Sequence, residues 1–345
     1  METRTLPANP DALTEAAQLL HQGKLVAFPT ETVYGLGGLA ENLEAVRAIF
    51  STKGRPSTDP LILHLSQPDL SQASADGWVA SPLPEAALRL AKVFWPGPLT
   101  LILRRGPKVH PEITAGLDTV AVRCPAHPAA QELLQKVGVP LAAPSANRFG
   151  RISPTDAEAV RQELNGIIPL ILDGGPCALG LESTVVNLVG RSPEILRPGA
   201  VTQAQLAKEL GQQLVSRQAS LKKHEVQPAP GQLVSHYAPQ TPLYLCEAPI
   251  KNLSPGAFHI FFRKSHQPTG GKSFLLGAEG NLDSAARELY RALRKADSSG
   301  AKKILIEPVP EGAWAEAIRD RLGRASSGTA HWDGGAWKFF SKEKP

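Results

Sequence analysis

Apolar residues along the first 210 positions follow two alternating periods. Between residues 10 and 22 they recur at helical spacing and stop at Gly23, and residues 24–29 then form a short apolar run. This alternation of helix-like and strand-like stretches predicts an α/β fold with a twisted, mixed sheet. We predict further helices at 41–51, 83–94, 127–137, 155–164 and 202–210, and further strands at 61–65, 99–103, 119–123, 140–143, 168–172 and 184–189.

The periodic pattern fades between Gly211 and Pro242, where several prolines occur. A stretch of this length without regular structure is typical of a linker or a functional lid. Beyond it, strand-like runs at 243–246, 258–262, 274–276 and 302–306 accompany helical patterns at 282–296 and near 313–323. The sequence therefore predicts a larger domain over 1–210, a linker or lid over 211–241, and a smaller C-terminal Rossmann-like α/β domain over 242–345.

Composition sets limits on the class of protein. The chain has 345 residues, of which 42% are hydrophobic, so two globular domains are expected. Residues 1–13 lack both the basic start and the apolar stretch of a signal peptide, and no run is long enough to span a bilayer. Three widely spaced cysteines argue against a disulfide framework, a zinc site or a redox pair. We therefore expect a cytoplasmic protein without a membrane partner.

The net charge of +5 is unevenly distributed. Residues 1–210 contain 18 Lys and Arg against 20 Asp and Glu, whereas residues 211–345 contain 19 against 12. This basic excess in the last third favours contact with nucleic-acid phosphates, or it is an ordinary solvated face. No aromatic-rich or arginine-dense stretch accompanies it, and we prefer the second interpretation.

Two short runs carry candidate chemistry: Lys53-Gly54-Arg55 and Ser145-Ala146-Asn147. In an extended stretch, residues two apart point to the same side, so the first run would present two cations together. The second run would present a hydroxyl and an amide, which orient phosphate oxygens without adding charge. Upstream, the apolar run at 24–29 leads into hydroxyls, a carboxylate and glycines, the end at which open α/β sheets bind ligands. Together these features predict a phosphate site.

These two runs, together with several other segments, make the chain resemble the threonylcarbamoyl-AMP synthases. This family has the YrdC-type fold, and the resemblance is to its longer two-domain form. The matching segments follow one another in the family's order, and His236-Tyr237-Ala238-Pro239 is typical of the longer form. The other matching segments are Pro29-Thr30-Glu31-Thr32-Val33-Tyr34-Gly35-Leu36-Gly37, Lys53-Gly54-Arg55-Pro56, Leu61-Ile62-Leu63-His64, Trp95-Pro96-Gly97-Pro98-Leu99-Thr100, Val120-Ala121-Val122-Arg123, Pro144-Ser145-Ala146-Asn147, Glu182-Ser183-Thr184-Val185 and Leu196-Arg197-Pro198-Gly199.

The resemblance implies a reaction in which L-threonine, bicarbonate or CO2, and ATP form threonylcarbamoyl-AMP and pyrophosphate. ATP would bring Mg²⁺ with it, and no protein metal site is expected. A tRNA threonylcarbamoyl transferase machinery would then move the threonylcarbamoyl group to an adenosine of tRNA. Such chemistry requires positioning and charge neutralisation more than a protein nucleophile.

The resemblance also assigns residues to this reaction. Lys53 and Arg55 would face the triphosphate as catalytic residues, and Arg123 would bind the carboxylate of threonine. The threonine pocket would comprise Thr32, His64, Arg123, Ala143 and Ser183. The nucleotide would contact Lys53, Arg55, Asp59, Thr119, Ser145, Asn147, Ser153, Arg197 and Tyr237.

Some of these residues also have ordinary structural interpretations. Ser153-Pro154-Thr155-Asp156 has the pattern of a helix start with Ser153 as the N-terminal cap. His64 lies in an otherwise apolar strand, where a lone histidine is usually a core residue. Asp59 stands where the family pattern has Asn, and a carboxylate lacks the amide donors that would bind a nucleotide directly.

Two questions stay open at the level of sequence. A module that binds double-stranded RNA or tRNA without turnover would explain the basic residues, including Arg148 and Arg151, but not the uncharged set of Thr32, His64 and Ser183. The proton of the threonine amine has three candidate acceptors, namely the substrate, water and Glu31.

Overall fold

The computed structural model describes residues 2–216, 226–229, 231, 236–266, 271–277 and 280–342. The predicted linker over 211–241 therefore lies partly outside the described residues. The chain forms two compact units. The first comprises Met1–Phe149, Ser153–Ala178 and Glu182–Leu233, and the second comprises Gly150–Ile152, Leu179–Leu181 and Val234–Pro345.

The first unit alternates helices with strands, as the apolar pattern predicts. Most helix starts carry a side-chain cap, for example Asn9, whose side chain accepts a hydrogen bond from the backbone of Ala12. The helices are α1 (Pro10–His21), α2 (Leu43–Lys53), α3 (Leu70–Ala75), α4 (Glu85–Phe94), α5 (Pro128–Val137), α6 (Ala157–Leu164) and α7 (Gln203–Leu210). The strands are β1 (Arg4–Pro7), β2 (Val26–Phe28), β3 (Gly35–Leu39), β4 (Ile62–His64), β5 (Leu99–Arg104), β6 (Thr119–Arg123), β7 (Leu141–Ala142), β8 (Leu170–Asp173), β9 (Thr184–Asn187), β10 (Glu194–Arg197) and β11 (Val215–Ser216).

The strands of the first unit form one sheet in the order β1-β8-β2-β3-β7-β4-β6-β5-β9-β10-β11. The sheet contains parallel pairs, such as β4 with β6, and antiparallel pairs, such as β5 with β6, so it is mixed, as predicted. Two large apolar clusters cover it, one built around α2 and α4 and the other around α1 and α5. This sheet supports the residues of the candidate site.

Strand β3 does not follow from the apolar pattern, because three of its five residues are glycines. From the sequence, these glycines are expected at the loop end of the preceding strand, and that interpretation is wrong. The strand is buried on both faces, and a Cβ atom at Gly37 would lie 2.8 Å from the ring of Phe28. Close packing, which a sequence pattern does not report, therefore requires glycine here.

The second unit contains strands and helices that alternate as predicted over most of its length. The sheet order is β14-β13-β15-β12-β16-β17, and all pairs except β16 with β17 are parallel. Within the described residues, no helix combines the length and apolarity needed to cross a membrane. The elements are β12 (Leu243–Cys246), β13 (Ala257–Phe261), β14 (Lys272–Leu275), α8 (Leu282–Asp297), β15 (Lys303–Ile306), α9 (Ala315–Ala325), β16 (Gly328–Trp332) and β17 (Trp337–Ser341).

Candidate active site

A row of polar side chains crosses the first sheet at one level. His64 on β4 lies opposite Arg123 on the parallel strand β6. On the neighbouring strand β5, the hydroxyl of Thr100 lies 2.7 Å from the hydroxyl of Ser183, the residue before β9. We call His64, Arg123, Thr100 and Ser183 the polar row. Because side chains alternate along a strand, the row projects from the same face as a buried apolar cluster. That cluster consists of Ile62, Ile102, Ala121, Val185, Leu196 and Ala229.

The Arg123 guanidinium is fixed by three protein oxygens. Its Nε donates to the carbonyl of Gly97 at 3.2 Å, and its Nη1 donates to the hydroxyl of Thr32 at 2.9 Å. Its Nη2 donates to Glu31 Oε1, and the other carboxylate oxygen of Glu31 accepts from the backbone of Ala126 at 3.0 Å. The β2–β3 loop and strand β6 therefore meet at a buried ion pair.

His64 is buried and neutral. Burial, and next the charge of Arg123, lower the pKa of His64 from 6.5 to about 3. Its Nδ1 lies 3.3 Å from the carbonyl oxygen of Ile62, so this nitrogen is the donor and Nε2 carries a lone pair. The histidine can accept a hydrogen bond from a ligand, but with such a low pKa it is a poor proton acceptor at neutral pH.

Arg197 extends the polar row to a second arginine. It donates from Nε and Nη2 to the carbonyl oxygen of Ser183 at 3.1 and 3.0 Å, and from Nη2 to the Ser183 hydroxyl at 3.1 Å. The pairing of β9 with β10 shifts register between Ile195 and Arg197. This irregularity lets both Leu196 and Arg197 reach the face of the polar row.

Lys53 joins the two short runs that the sequence analysis singles out. It is the last residue of α2, and Gly54 follows it in a left-handed conformation with φ of 63°. The prediction of an extended Lys-x-Arg stretch is therefore wrong. The buried ammonium donates to the carbonyl oxygen of Ser145 at 2.5 Å and to that of Asn147. Burial, and next the charge of Arg55, lower the pKa of Lys53 well below 10.5.

Arg55 and Asp59 form a second buried ion pair, with Nη2 2.8 Å from Oδ1. Arg55 also donates to the carbonyl oxygens of Asp59 and Pro60 at 2.9 and 2.7 Å. Asp59 is fully buried, which raises its pKa from 3.8 to about 6, although the charges of Arg55, Lys53 and Arg197 act in the opposite direction. Its Oδ2 accepts no hydrogen bond from the described residues. One carboxylate is thus paired with Arg55 and also lies in the electrostatic field of Lys53 and Arg197.

This environment of Asp59 predicts a pH dependence that Asp59→Asn should remove. Between pH 4 and 6 the folded protein holds a proton that the unfolded chain has released, so the free energy of unfolding falls as pH rises through this window. About two pKa units correspond to about 3 kcal/mol. The free energy of unfolding of the Asn variant relative to that of wild type should rise by about this amount from pH 4 to pH 7 in denaturant titrations. Parallel profiles for the two proteins would contradict the prediction.

Ser153 is not the helix cap that its sequence context predicts. Helix α6 begins at Ala157, and Asp156 is the cap, accepting a hydrogen bond from the backbone of Ala159 at 2.7 Å. The Ser153 hydroxyl is fully buried and has no hydrogen-bond partner among the described residues. An unsatisfied buried hydroxyl is costly. The structural explanation for Ser153 therefore fails, and a contact with a ligand stays the prediction for it.

The remaining predicted site residues lie in different places. Ala143 is buried beside the polar row, and its backbone N–H donates to Ile62 at 3.0 Å. Thr119 is half-buried at the start of β6. Tyr237 belongs to the second unit, where its ring lies 6.0 Å from the ring of Tyr290 and 5.3 Å from the guanidinium carbon of Arg321. Its contact with a nucleotide stays a prediction.

Sequence reasoning misses two contributors, Gly97 and Thr100. Both lie in the Trp95–Thr100 segment that carries the family resemblance, yet no role follows from their residue types. Thr100 is a lone hydroxyl in an apolar strand, and this pattern could have marked it. The carbonyl of Gly97 acts through the backbone, which leaves no signal in the sequence.

An open cavity of about 880 Å³ lies beside the Arg55 loop in the first unit. The end of α2, the loop after it and the turn near residue 115 form its walls. Its lining comprises Arg47, Phe50, Ser51, Gly54, Arg55, Ser57, Thr58, Pro111, Glu112, Ala115, Gly116 and Val226. The cavity is large enough for a nucleoside.

Comparison with known proteins matches almost the whole chain. Residues 18–199 match a family model described as "Telomere recombination" (Sua5_yciO_yrdC). Residues 201–327 match a model described as "Threonylcarbamoyl-AMP synthase, C-terminal domain".

Two relatives that match over nearly their whole length are also named threonylcarbamoyl-AMP synthase. A threonylcarbamoyl-AMP synthase of Bacillus subtilis (strain 168) is 40% identical over 338 residues, which cover 94% of this chain and 96% of that protein. One from Pyrococcus abyssi (strain GE5 / Orsay) is 39% identical over 322 residues, with 90% and 93% covered. The crystal structure of P. abyssi Sua5 complexed with L-threonine has a TM-score of 0.84 and 37% identity, and covers 94% of this chain and 97% of that one.

Proposed function

We infer that this chain, which belongs to the threonylcarbamoyl-AMP synthase family, condenses L-threonine, bicarbonate or CO2, and ATP to threonylcarbamoyl-AMP and pyrophosphate. One observation carries the inference within the structure. Ser183, in the polar row, accepts hydrogen bonds from Arg197, whose positive charge, like those of Arg55 and Lys53, acts on Asp59. A pocket suited to a small amino acid therefore adjoins a cluster suited to phosphates.

Threonine would bind along the polar row. The two N–H groups that Arg123 does not use within the protein would donate to its carboxylate. The lone pair of His64 Nε2 and the hydroxyls of Thr32 and Ser183 would bind its polar groups. The P. abyssi relative, which is similar over 94% of this chain and was solved with L-threonine, supports threonine as the ligand.

The nucleotide phosphates would bind near Lys53, Arg55 and Arg197. ATP carries about four negative charges, and these cations would offset the charge that builds up in the transition state. The described residues contain no group of three or more His, Cys, Asp or Glu side chains arranged for a metal. Mg²⁺ would enter as part of the ATP substrate. The nucleoside end would extend toward the cavity beside Arg55.

The chemistry follows from this arrangement. The threonine amine and CO2 form a carbamate, and one carbamate oxygen makes a bond to the α-phosphorus of ATP. The bond from that phosphorus to the oxygen of the β-phosphate breaks, and pyrophosphate leaves with the electron pair. The protein contributes positioning and charge neutralisation rather than a covalent step. The product would pass to the machinery that modifies tRNA.

Pyrophosphate release tests the proposal. ATP should yield pyrophosphate only when L-threonine and bicarbonate are both present, and threonylcarbamoyl-AMP should appear in equal amount at early times. Omitting either co-substrate is the control. Release that is independent of threonine would contradict the proposal. Salt-sensitive RNA binding without turnover would favour the RNA-binding alternative, which leaves the buried contacts of His64 and Thr100 unexplained.

A further inference from the structure

Glu31 lies next to Thr32 and Arg123 of the proposed threonine pocket, and both of its carboxylate oxygens accept hydrogen bonds. Oε1 accepts from Arg123 Nη2, and Oε2 accepts from the backbone N–H of Ala126 at 3.0 Å. The residue is only 8% exposed. A proton transferred to Glu31 would break a buried ion pair and leave the Arg123 cation without its counter-ion, which is strongly unfavourable.

The arrangement also fixes the orientation of Arg123. Of the five guanidinium N–H groups, three are used, by Gly97, Thr32 and Glu31. One N–H remains on Nη1 and one on Nη2, and the described residues offer them no partner. A carboxylate that accepts two parallel hydrogen bonds from an arginine needs two such N–H groups.

We propose that Glu31 is a positioning residue, which sets the Arg123 guanidinium for the substrate carboxylate and does not take the proton of the threonine amine. This inference rests on the proposed function. Glu31 is thereby removed from the three candidate acceptors for that proton, and the substrate and water remain.

Competing electrostatics make the proposal testable. The negative charge of Glu31 repels a substrate carboxylate, so its removal would tighten threonine binding if charge alone mattered. Positioning predicts the reverse. In a glutamine the NH2 group replaces one of the two carboxylate oxygens and would face another donor, either Arg123 Nη2 or the N–H of Ala126, so one of the two hydrogen bonds is lost. The guanidinium should then lose its orientation.

The experiment measures pyrophosphate release by wild type, Glu31→Gln and Glu31→Asp in the full chain. For Glu31→Gln, KM for L-threonine should rise about tenfold to a hundredfold, the range for losing a charged hydrogen bond. The value of kcat at saturating threonine and KM for ATP should change less than about threefold. The preference for L-threonine over L-threoninamide, which lacks the carboxylate, should fall by a similar factor. Glu31→Asp, which keeps the charge on a shorter side chain, should be impaired in the same direction.

Glu158→Gln is the matched control, because it removes an exposed carboxylate that is paired with Arg161. It should match wild type in every constant. A hundredfold loss of kcat at saturating threonine in Glu31→Gln, with loss of the acidic limb of the pH profile, would make Glu31 the base and overturn the proposal. A lower KM for threonine would also overturn it. A wild-type protein without threonine-dependent turnover would instead refute the proposed function.

Discussion

Replacing Lys53 with alanine should lower pyrophosphate release about 100-fold and leave the fold intact. The ammonium is buried where the end of α2 meets the Ser145–Asn147 segment, and it donates to the carbonyl oxygens of both these residues. The variant would lose a charged interaction with the phosphates and also the two hydrogen bonds that hold the Ser145–Asn147 segment in place. A single charged hydrogen bond is worth about 1.5–3 kcal/mol, or about 10–100-fold in rate when it forms in the transition state.

Steady-state kinetics and thermal melting measure this prediction. Lys92→Ala is the matched control, because Lys92 also lies in the last turn of a helix but is exposed. It should match wild type. Lys53→Arg should restore the rate only in part, since the larger guanidinium does not fit between the two carbonyl oxygens in the same way. A Lys53→Ala variant with near-wild-type turnover would exclude Lys53 from catalysis.

The residues around Lys53 show how far sequence reasoning reaches. Two runs 92 residues apart predicted one phosphate site, and the structure brings them into direct contact. The predicted extended geometry of Lys53 and Arg55 is wrong, because the apolar pattern does not show that α2 continues to Lys53 and ends at Gly54. Period-two reasoning applies only to extended chain, and here the left-handed glycine turns Arg55 toward Asp59 instead.

Ser153 and β3 show two other limits. A serine before proline has the local signature of a cap, but the competing cap Asp156 lies three residues later and the helix uses that one. The choice depends on where α6 packs, which local sequence does not encode. In β3, glycines that suggest a loop lie in a buried strand, and the ring of Phe28 leaves no room for side chains at Gly35 and Gly37. Neither outcome can be read from the residue types of the segment itself.

The polar row depends on the order of the strands in the sheet as well as on the residue types. The apolar pattern predicts β4, β5, β6 and β9 but not their order in the sheet. Once they pair as observed, the register places His64 opposite Arg123 and brings Thr100 against Ser183. Only the family resemblance suggested that three of these four residues share a pocket, and the position of Thr100 came from the sheet alone.

Placing a charge at Ala229 should open the site to water and lower synthesis of threonylcarbamoyl-AMP. Residues 226–229 belong to the first unit, and the backbone N–H of Gln227 donates to the carbonyl oxygen of Thr58 at 3.0 Å. Ala229 is fully buried in the apolar cluster on the face of the polar row. A carboxylate has no partner in this cluster, so Ala229→Asp should force the segment away from the sheet.

Such a displacement should affect product yield more than protein stability. Threonylcarbamoyl-AMP is a mixed anhydride that water hydrolyses and that can cyclise, so a cover over the site preserves it. We expect synthesis to fall about 100-fold, as it can after small misplacements near reacting groups. The ratio of threonylcarbamoyl-AMP to pyrophosphate should also fall well below one. A chain ending at Leu210, which lacks this segment altogether, should show the same defect. Pro228→Asp adds the same charge at an exposed neighbour and should behave as wild type. Full synthesis by both Ala229→Asp and the shortened chain would mean that the segment is only a tether.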